Sequence, residues 1–238
     1  GDINLWKTDP FTPEIIDGRL FGRGSGDDKS GVVIHYNVIK QLKSELPVNI
    51  KVFIEGEEEI GSPTMASFIE QNREALEADV IVIADSGNVK IGVPTVTTTL
   101  RGLADGIIEV DQPMRPIHSG VGGGVVPDAF MVLSKIIASF HDEKGNLMIE
   151  GLTPTDMQVT ELEESFLKKM LGSEEIHLFD TESISKRLWL EPALDVLAID
   201  APAVKDAVNL VIPKAKAKVS LRLPPTEDPE HAMKMLEE

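Results

Sequence analysis

The 238-residue sequence contains no cysteine. Disulfide stabilisation is thereby excluded, and any bound metal must be held by histidine, aspartate or glutamate. Basic residues are scarce: 23 lysines and arginines stand against 40 aspartates and glutamates, a net charge of −17. Such a chain has no basic patch to displace counterions, so nucleic acid is not an expected partner. Long hydrophobic runs are lacking too. No segment is long enough to cross a bilayer and no signal-peptide pattern opens the chain, so a soluble, cytoplasmic protein with no membrane association is expected. Internal repeats and low-complexity tracts are absent. What remains is globular in composition, 42% apolar with mean hydropathy −0.03, enough for one large domain or two modest ones.

Hydrophobic patterning changes character along the chain. Residues 12–24, with Asp-Gly and isolated glycines between short apolar pairs, read as a strand and turn entering a loop. Residues 31–46 place Ile39, Leu42 and Leu46 on one side and predict a helix. NIKVFI (49–54) and DVIVIAD (79–85) read as strands, the second β-branched throughout like a central parallel strand. Ser62-Pro63 reads as an N-cap and first helical residue of a helix running to about 77. Residues 20–85 thus alternate loop, helix, strand, helix, strand, the pattern of a doubly wound α/β sheet. From about residue 95 the pattern predicts two antiparallel strands, a proline-started helix at 127–140, an acidic helical stretch at 155–171 and a solvent-facing strand at 214–223. We therefore expect an incomplete metal-binding α/β domain at 1–97, a smaller α+β domain at 98–225, and a new helix beginning in 226–238.

Acidic residues gather at the ends of the α/β elements, in GRGSGDDKSG (22–31), EGEEEIGSP (55–63) and ADSG (84–87). The first could be a phosphate-binding turn, but its spacing fits neither GxGxxG nor a P-loop, and two adjacent carboxylates repel phosphate. In open α/β sheets ligands bind beyond the carboxyl ends of the strands, where all three clusters fall. Carboxylates packed there raise one another's pKa unless a cation sits among them. Oxygen donors without cysteine suit Mg²⁺, Mn²⁺ or Zn²⁺, zinc normally wanting histidine as well. Spacing alone leaves both a metal site and a solvated acidic rim open.

The segments LWKTDPF (5–11), DGRLFGRGSGDDKSG (17–31), EGEEEIGSP (55–63), IHSGVGGG (117–124) and SLRLPP (220–225) occur in this order in the M20 metallopeptidase family, which the chain resembles over nearly its whole length. DDK and EGEEEIGS resemble most the dipeptidase branch, which cleaves carnosine and cysteinylglycine. The resemblance implies a catalytic domain with an inserted lid and dimerisation domain, two divalent metal ions (zinc, with manganese or cobalt as alternatives), a small peptide substrate and a homodimer. It assigns Asp27 as the carboxylate bridging both metals, Glu59 and Asp85 as ligands of one metal each, and Glu58 as general base. Metals of this kind lower the pKa of water to ~7 and polarise the scissile carbonyl. The family also implies a cis peptide between Asp27 and Asp28, and leaves Glu57 as solvated surface.

In the second domain the resemblance assigns His118 as a histidine that reaches the partner copy's site and stabilises the oxyanion, Arg222 as the guanidinium that binds the substrate carboxylate, and Asn209 as a substrate contact. From pattern alone His118 is a loop histidine and Arg222 an exposed strand cation. His35, His141, His177 and His231 match no motif and read as structural or surface residues. The family's H-x-D motif would precede LWKTDPF, and its last metal-binding histidine would follow residue 238. An internal fragment of a longer enzyme is therefore expected, holding metal weakly and inactive by itself. Two alternatives stand beside a dipeptidase: an N-acyl amino-acid amidohydrolase, and a non-catalytic dimerisation or binding module.

Overall fold

A computed structural model describes residues 3–42, 45–88 and 92–238. The chain divides into two compact units, Gly1–Val96 and Thr97–Glu238, of mixed α and β structure.

In the first unit, β1 (Glu14–Ile16) and β2 (Arg19–Phe21) form an antiparallel hairpin in which Ile16 lies opposite Arg19. Asp17 and Gly18 turn it with φ of 49° and 73°. That pair of positive angles suits a two-residue hairpin turn, and Asp-Gly is a preferred sequence for it. The helix α1 (Lys29–Leu42) begins two residues before the expected start at 31. Its first turn is held by Asp28, whose Oδ1 accepts from the Gly31 amide at 2.8 Å and the Ser30 hydroxyl at 3.0 Å. The expected continuation through 43 and 44 lies outside the described residues.

The helix expected over 63–77 is instead two pieces, α2 (Met65–Gln71) and α3 (Arg73–Leu76). Ser62 is not the cap: it sits at φ 50°, in the left-handed region, and Thr64 precedes the first helical residue. The break falls at Asn72, whose side chain donates to the Phe68 carbonyl at 2.8 Å, the competition with the backbone that disfavours Asn inside helices.

Residues 49–54 and 79–85 make no ladder hydrogen bonds among the described residues, so the parallel sheet expected of them is not formed there. Their apolar side chains stay open, Ile81 80% and Ile83 77% exposed. β-Branched residues favour extended backbone, but a strand is stable only against a partner. Two contacts are made locally: Phe53 stacks on Phe68 with centroids 5.3 Å apart, and the Lys51 ammonium donates to the Glu77 carbonyl at 2.6 Å.

The second unit is built on three antiparallel strands. Its elements in chain order are β3 (Gly102–Asp111), a short β4 (Ile117–His118) leading into α4 (Ser119–Gly122), α5 (Ala129–Ser139), α6 (Glu164–Met170), α7 (Ile184–Trp189), β5 (Ala193–Asp200), β6 (Leu210–Val211), β7 (Lys214–Leu223) and α8 (Pro229–Glu237), and the three strands are ordered β3-β7-β5. Among the described residues one strand, β3, forms where two were expected after residue 93, and 94–101 forms no strand. The acidic stretch 155–171 is helical only in α6. α5 starts after its proline: Asp128 is the cap, accepting from the Met131 amide at 3.1 Å.

β7 has the bounds its alternation predicts, yet it is the central strand, with one face dry. Ala215, Ala217, Val219, Leu221 and Leu223 are buried under α5 and α8. Lys214, Lys216 and Lys218 project from the other face toward Asp111 (2.6 Å), Glu109 (3.0 Å) and Asp105 (3.2 Å) on β3. Exposed pairs of this kind contribute only about 0–1 kcal/mol each, so the apolar face holds the sheet while the charges favour its register.

Candidate functional site

The first unit assembles an acidic edge from three segments. The loop 22–28 is closed by its own side chains: the Lys29 ammonium donates to the Arg23 carbonyl at 3.3 Å and the Ser30 hydroxyl to the Gly26 carbonyl at 2.7 Å. Asp27, exposed, precedes a cis peptide bond to Asp28. Gly31 then lets α1 begin against the end of the 79–85 run. A Cβ there would collide with the Asp28 carboxylate and with the carbonyl oxygen of Ala84, the residue before Asp85. That close approach is why the first turn of this helix carries a glycine.

The EGEEEIGSP segment forms a single 3-10 turn, Glu58–Ile60, ended by Gly61 at φ 83°. Glu57 is not free surface. Its Oε2 accepts from the Thr64 hydroxyl at 2.6 Å and the Thr64 amide at 3.3 Å, bracing the turn. This leaves Glu58 and Glu59 to face the acidic edge. Glu59 meets the Arg23 guanidinium at 3.7 Å. Partial desolvation pushes the Glu58 carboxyl above its ordinary pKa, and the charges of Glu59, Asp85, Asp27 and Glu55 add to the shift in that order. Glu59, Asp85 and Asp27, from three separated segments, are thus within electrostatic reach of Glu58. Glu55 contributes a further sign of missing positive charge: its Oε1 is buried without a hydrogen-bond partner. Such an oxygen is expensive to leave unsatisfied.

These residues fit a hard divalent cation in donor type and in charge. No three His, Asp or Glu side chains converge at metal-binding spacing among the described residues.

In the second unit β4 pairs with β6, setting His118 opposite Leu210, and the Ser119 amide donates to the Asn209 carbonyl at 2.9 Å. The structure therefore brings His118 and Asn209 side by side, although they are 91 positions apart in sequence. The His118 ring accepts from the Gly120 amide at its Nδ1, 3.0 Å away. In the neutral ring the proton then sits on Nε2, which makes an exposed hydrogen-bond donor. Arg222 lies on the open face of β7, opposite Leu103 and Ala193. Sequence reasoning missed its neighbour Arg101, which lines the same ≈ 270 Å³ cavity. The available signal was that Arg101 is the lone charge between Lys90 and Asp105.

Comparison with known proteins bears on both units. The family model for peptidase family M20/M25/M40 matches residues 1–237. A cysteinylglycine-S-conjugate dipeptidase of Corynebacterium striatum is 36% identical over 241 residues, spanning 98% of this chain and 53% of that protein. A β-Ala-His dipeptidase of Mus musculus is 31% identical over 240 residues, spanning 94% of this chain and 49% of the relative. Among solved structures, an M20 family metallo-carboxypeptidase from Sulfolobus solfataricus superposes with a TM-score of 0.80 at 30% identity, covering 99% of this chain and 56% of that one. The chain spans about half the length of the relatives it matches. With its motif residues distributed over both units and the family match running through them, the chain belongs to peptidase family M20/M25/M40.

Proposed function

We propose that the whole protein is a metal-dependent dipeptidase that hydrolyses dipeptides or other short peptides, acting in the cytoplasm as a homodimer joined through the 98–225 region. The observation that carries this reading is the gathering of negative charge on Glu58 from Glu59, Asp85 and Asp27. A carboxylate placed among these groups is positioned to act as a general base. Support comes from the dipeptidase names of the relatives in bacterium and mouse.

In this reading Asp27 would bridge two divalent ions, zinc or else manganese or cobalt, with Glu59 and Asp85 holding one each. When bound, the ions supply Lewis acidity at the scissile carbonyl and lower the pKa of water. Glu58 takes the proton from the attacking water and passes it to the leaving amine. A positioned base of this kind adds about 10²–10⁴-fold. The Nε2–H of His118 donates to the developing oxyanion of the partner's substrate, a task for a pre-oriented donor. Arg222 holds the substrate's terminal carboxylate, for which a guanidinium fork is shaped, and Asn209 stands beside it as a further substrate contact. The doubly wound architecture of the catalytic half belongs to the same reading, with 49–54 and 79–85 as two of its strands.

The test is a panel of free dipeptides and N-acyl amino acids given to the whole protein with added Zn²⁺ or Mn²⁺. Turnover of dipeptides, abolished by a chelator, is the expected result. Turnover of N-acyl amino acids alone would move the protein to the amidohydrolase branch. A second reading, a non-catalytic binding module, is favoured by the lack of three converging ligands among the described residues. It requires that neither substrate class be cleaved with metal bound.

A further inference from the structure

The open face of the β3-β7-β5 sheet ends in a cavity of ≈ 270 Å³ whose lining includes Arg101, Arg222 and Asp195 on the strand side and Leu167, Phe179 and Leu188 on the other. A third arginine there, Arg187, is already committed. It donates to the Gly145 carbonyl and to Asn146 Oδ1, and lies over the Phe179 ring at 4.9 Å from its centroid. The other two are not. Neither the Arg101 nor the Arg222 guanidinium makes a hydrogen bond or ion pair among the described residues, although Arg101 is half-buried and Asp195 lines the same cavity. Two cations sharing a partly dry space repel each other unless an anion lies between them. Even counting Asp195, the cavity keeps a surplus of positive charge beside an apolar wall.

We propose that Arg101 and Arg222 together form a carboxylate clamp, and that Leu167, Phe179 and Leu188 receive an apolar side chain carried on the same residue. The ligand class is an amino-acid carboxylate with a leucine- or phenylalanine-like side chain. Taken as the C-terminal residue of the substrate, this identification rests on the dipeptidase reading; the binding itself does not. Arg101 is then a specificity-determining residue. Burial, followed by the neighbouring Arg222 charge, holds the Arg101 pKa below its ordinary value, and the Asp195 carboxylate offsets this only in part. Size agrees: pockets for larger ligands run to about 300–1,000 Å³, so this one suits a single residue and not a longer peptide.

The experiment is a titration of the ¹⁵N-labelled chain with N-acetyl-leucine, N-acetyl-glycine and N-acetyl-leucinamide, followed by amide shifts. N-acetyl-leucine is expected to shift signals of residues 178–188 and Arg101, to bind roughly tenfold tighter than N-acetyl-glycine, and to lose on the order of 10–100-fold in Arg101→Gln. Arg101→Lys, which keeps the charge and loses the fork, should fall between. Equal binding of acid and amide by the wild type, no binding of N-acetyl-leucine, or an unchanged Kd in Arg101→Gln would overturn the clamp. The two readings fail separately. A protein that cleaves no dipeptide yet binds N-acetyl-leucine through Arg101 refutes only the dipeptidase reading. A protein that cleaves Gly-Leu with the same kcat/KM in Arg101→Gln refutes only the clamp.

Discussion

Replacing Asp128 by alanine should destabilise the second unit by about 2–3 kcal/mol. The figure follows from the two bonds its carboxylate accepts. Oδ1 takes the Met131 amide at 3.1 Å and caps α5; Oδ2 takes the half-buried Ile212 amide at 3.3 Å. A lost N-cap costs ~1 kcal/mol. A buried amide left without an acceptor costs about 1–3 kcal/mol, and the long second bond argues for the lower half of that range. Ile212 follows β6, the strand that pairs with His118, so the same change loosens α5 from the element that sets that histidine. Urea denaturation followed by circular dichroism, with the Asp128→Asn variant alongside, is the assay. Asparagine keeps one acceptor oxygen and should recover about half the loss. A loss under ~0.5 kcal/mol for alanine, or asparagine as damaging as alanine, would refute the reasoning.

Other expectations follow from single contacts. Leu221, fully buried opposite Ala104 and Leu194, should lose about 2–5 kcal/mol as alanine, read by the same denaturation. Gly31→Ala forces a methyl group against the Asp28 carboxylate and the Ala84 carbonyl oxygen, and should destabilise the first unit by about 1–3 kcal/mol, read as a lowered Tm. Asp142 accepts from the Asn146 amide, the Asn146 side chain and the Lys144 amide, which hold its pKa below the ordinary 3.8, the Asn146 amide contributing most. A depressed carboxyl stabilises the fold above its unfolded pKa and ceases to do so as pH falls through the folded one. The protection of the Lys144 and Asn146 amides against hydrogen exchange, relative to their intrinsic rates at each pH, should therefore fall as pH is lowered below 3.8, and Asp142→Asn should abolish that dependence.

What could be read from the sequence is what depends on near neighbours. KAKAKVSLRL alternates strictly and becomes β7 with the same bounds, because one face meets helices and the other water. Asp228-Pro229 announces α8, and Asp228 accepts from the Glu230 and His231 amides at 2.8 and 3.0 Å. Pairing was not legible. The β-branched runs at 49–54 and 79–85 look like central strands, and they are extended, but a ladder needs a partner that local composition does not specify. The same holds for the threonine-rich 95–99, which forms no strand where one was expected, and for α7 and β5, which no periodicity marked.

The site divides along the same line. The acidic segments stood out as motifs, and the structure brings Glu58 within reach of Asp27, Glu59 and Asp85. Glu57, identical in type to its neighbours, braces Thr64 instead, a difference only three-dimensional packing creates. Arg101 has no motif at all; its meaning comes from Arg222, 121 positions away on β7, the neighbour of the strand that Arg101 precedes.

The measurement that tests the central claim most directly is the turnover of Gly-Leu by the whole protein and by its Glu58→Gln variant, each with Mn²⁺ present. Glutamine keeps the size of the side chain and removes its basicity. The account expects kcat to fall by about 10²–10⁴-fold, with KM little changed. Equal turnover by the two proteins would contradict it.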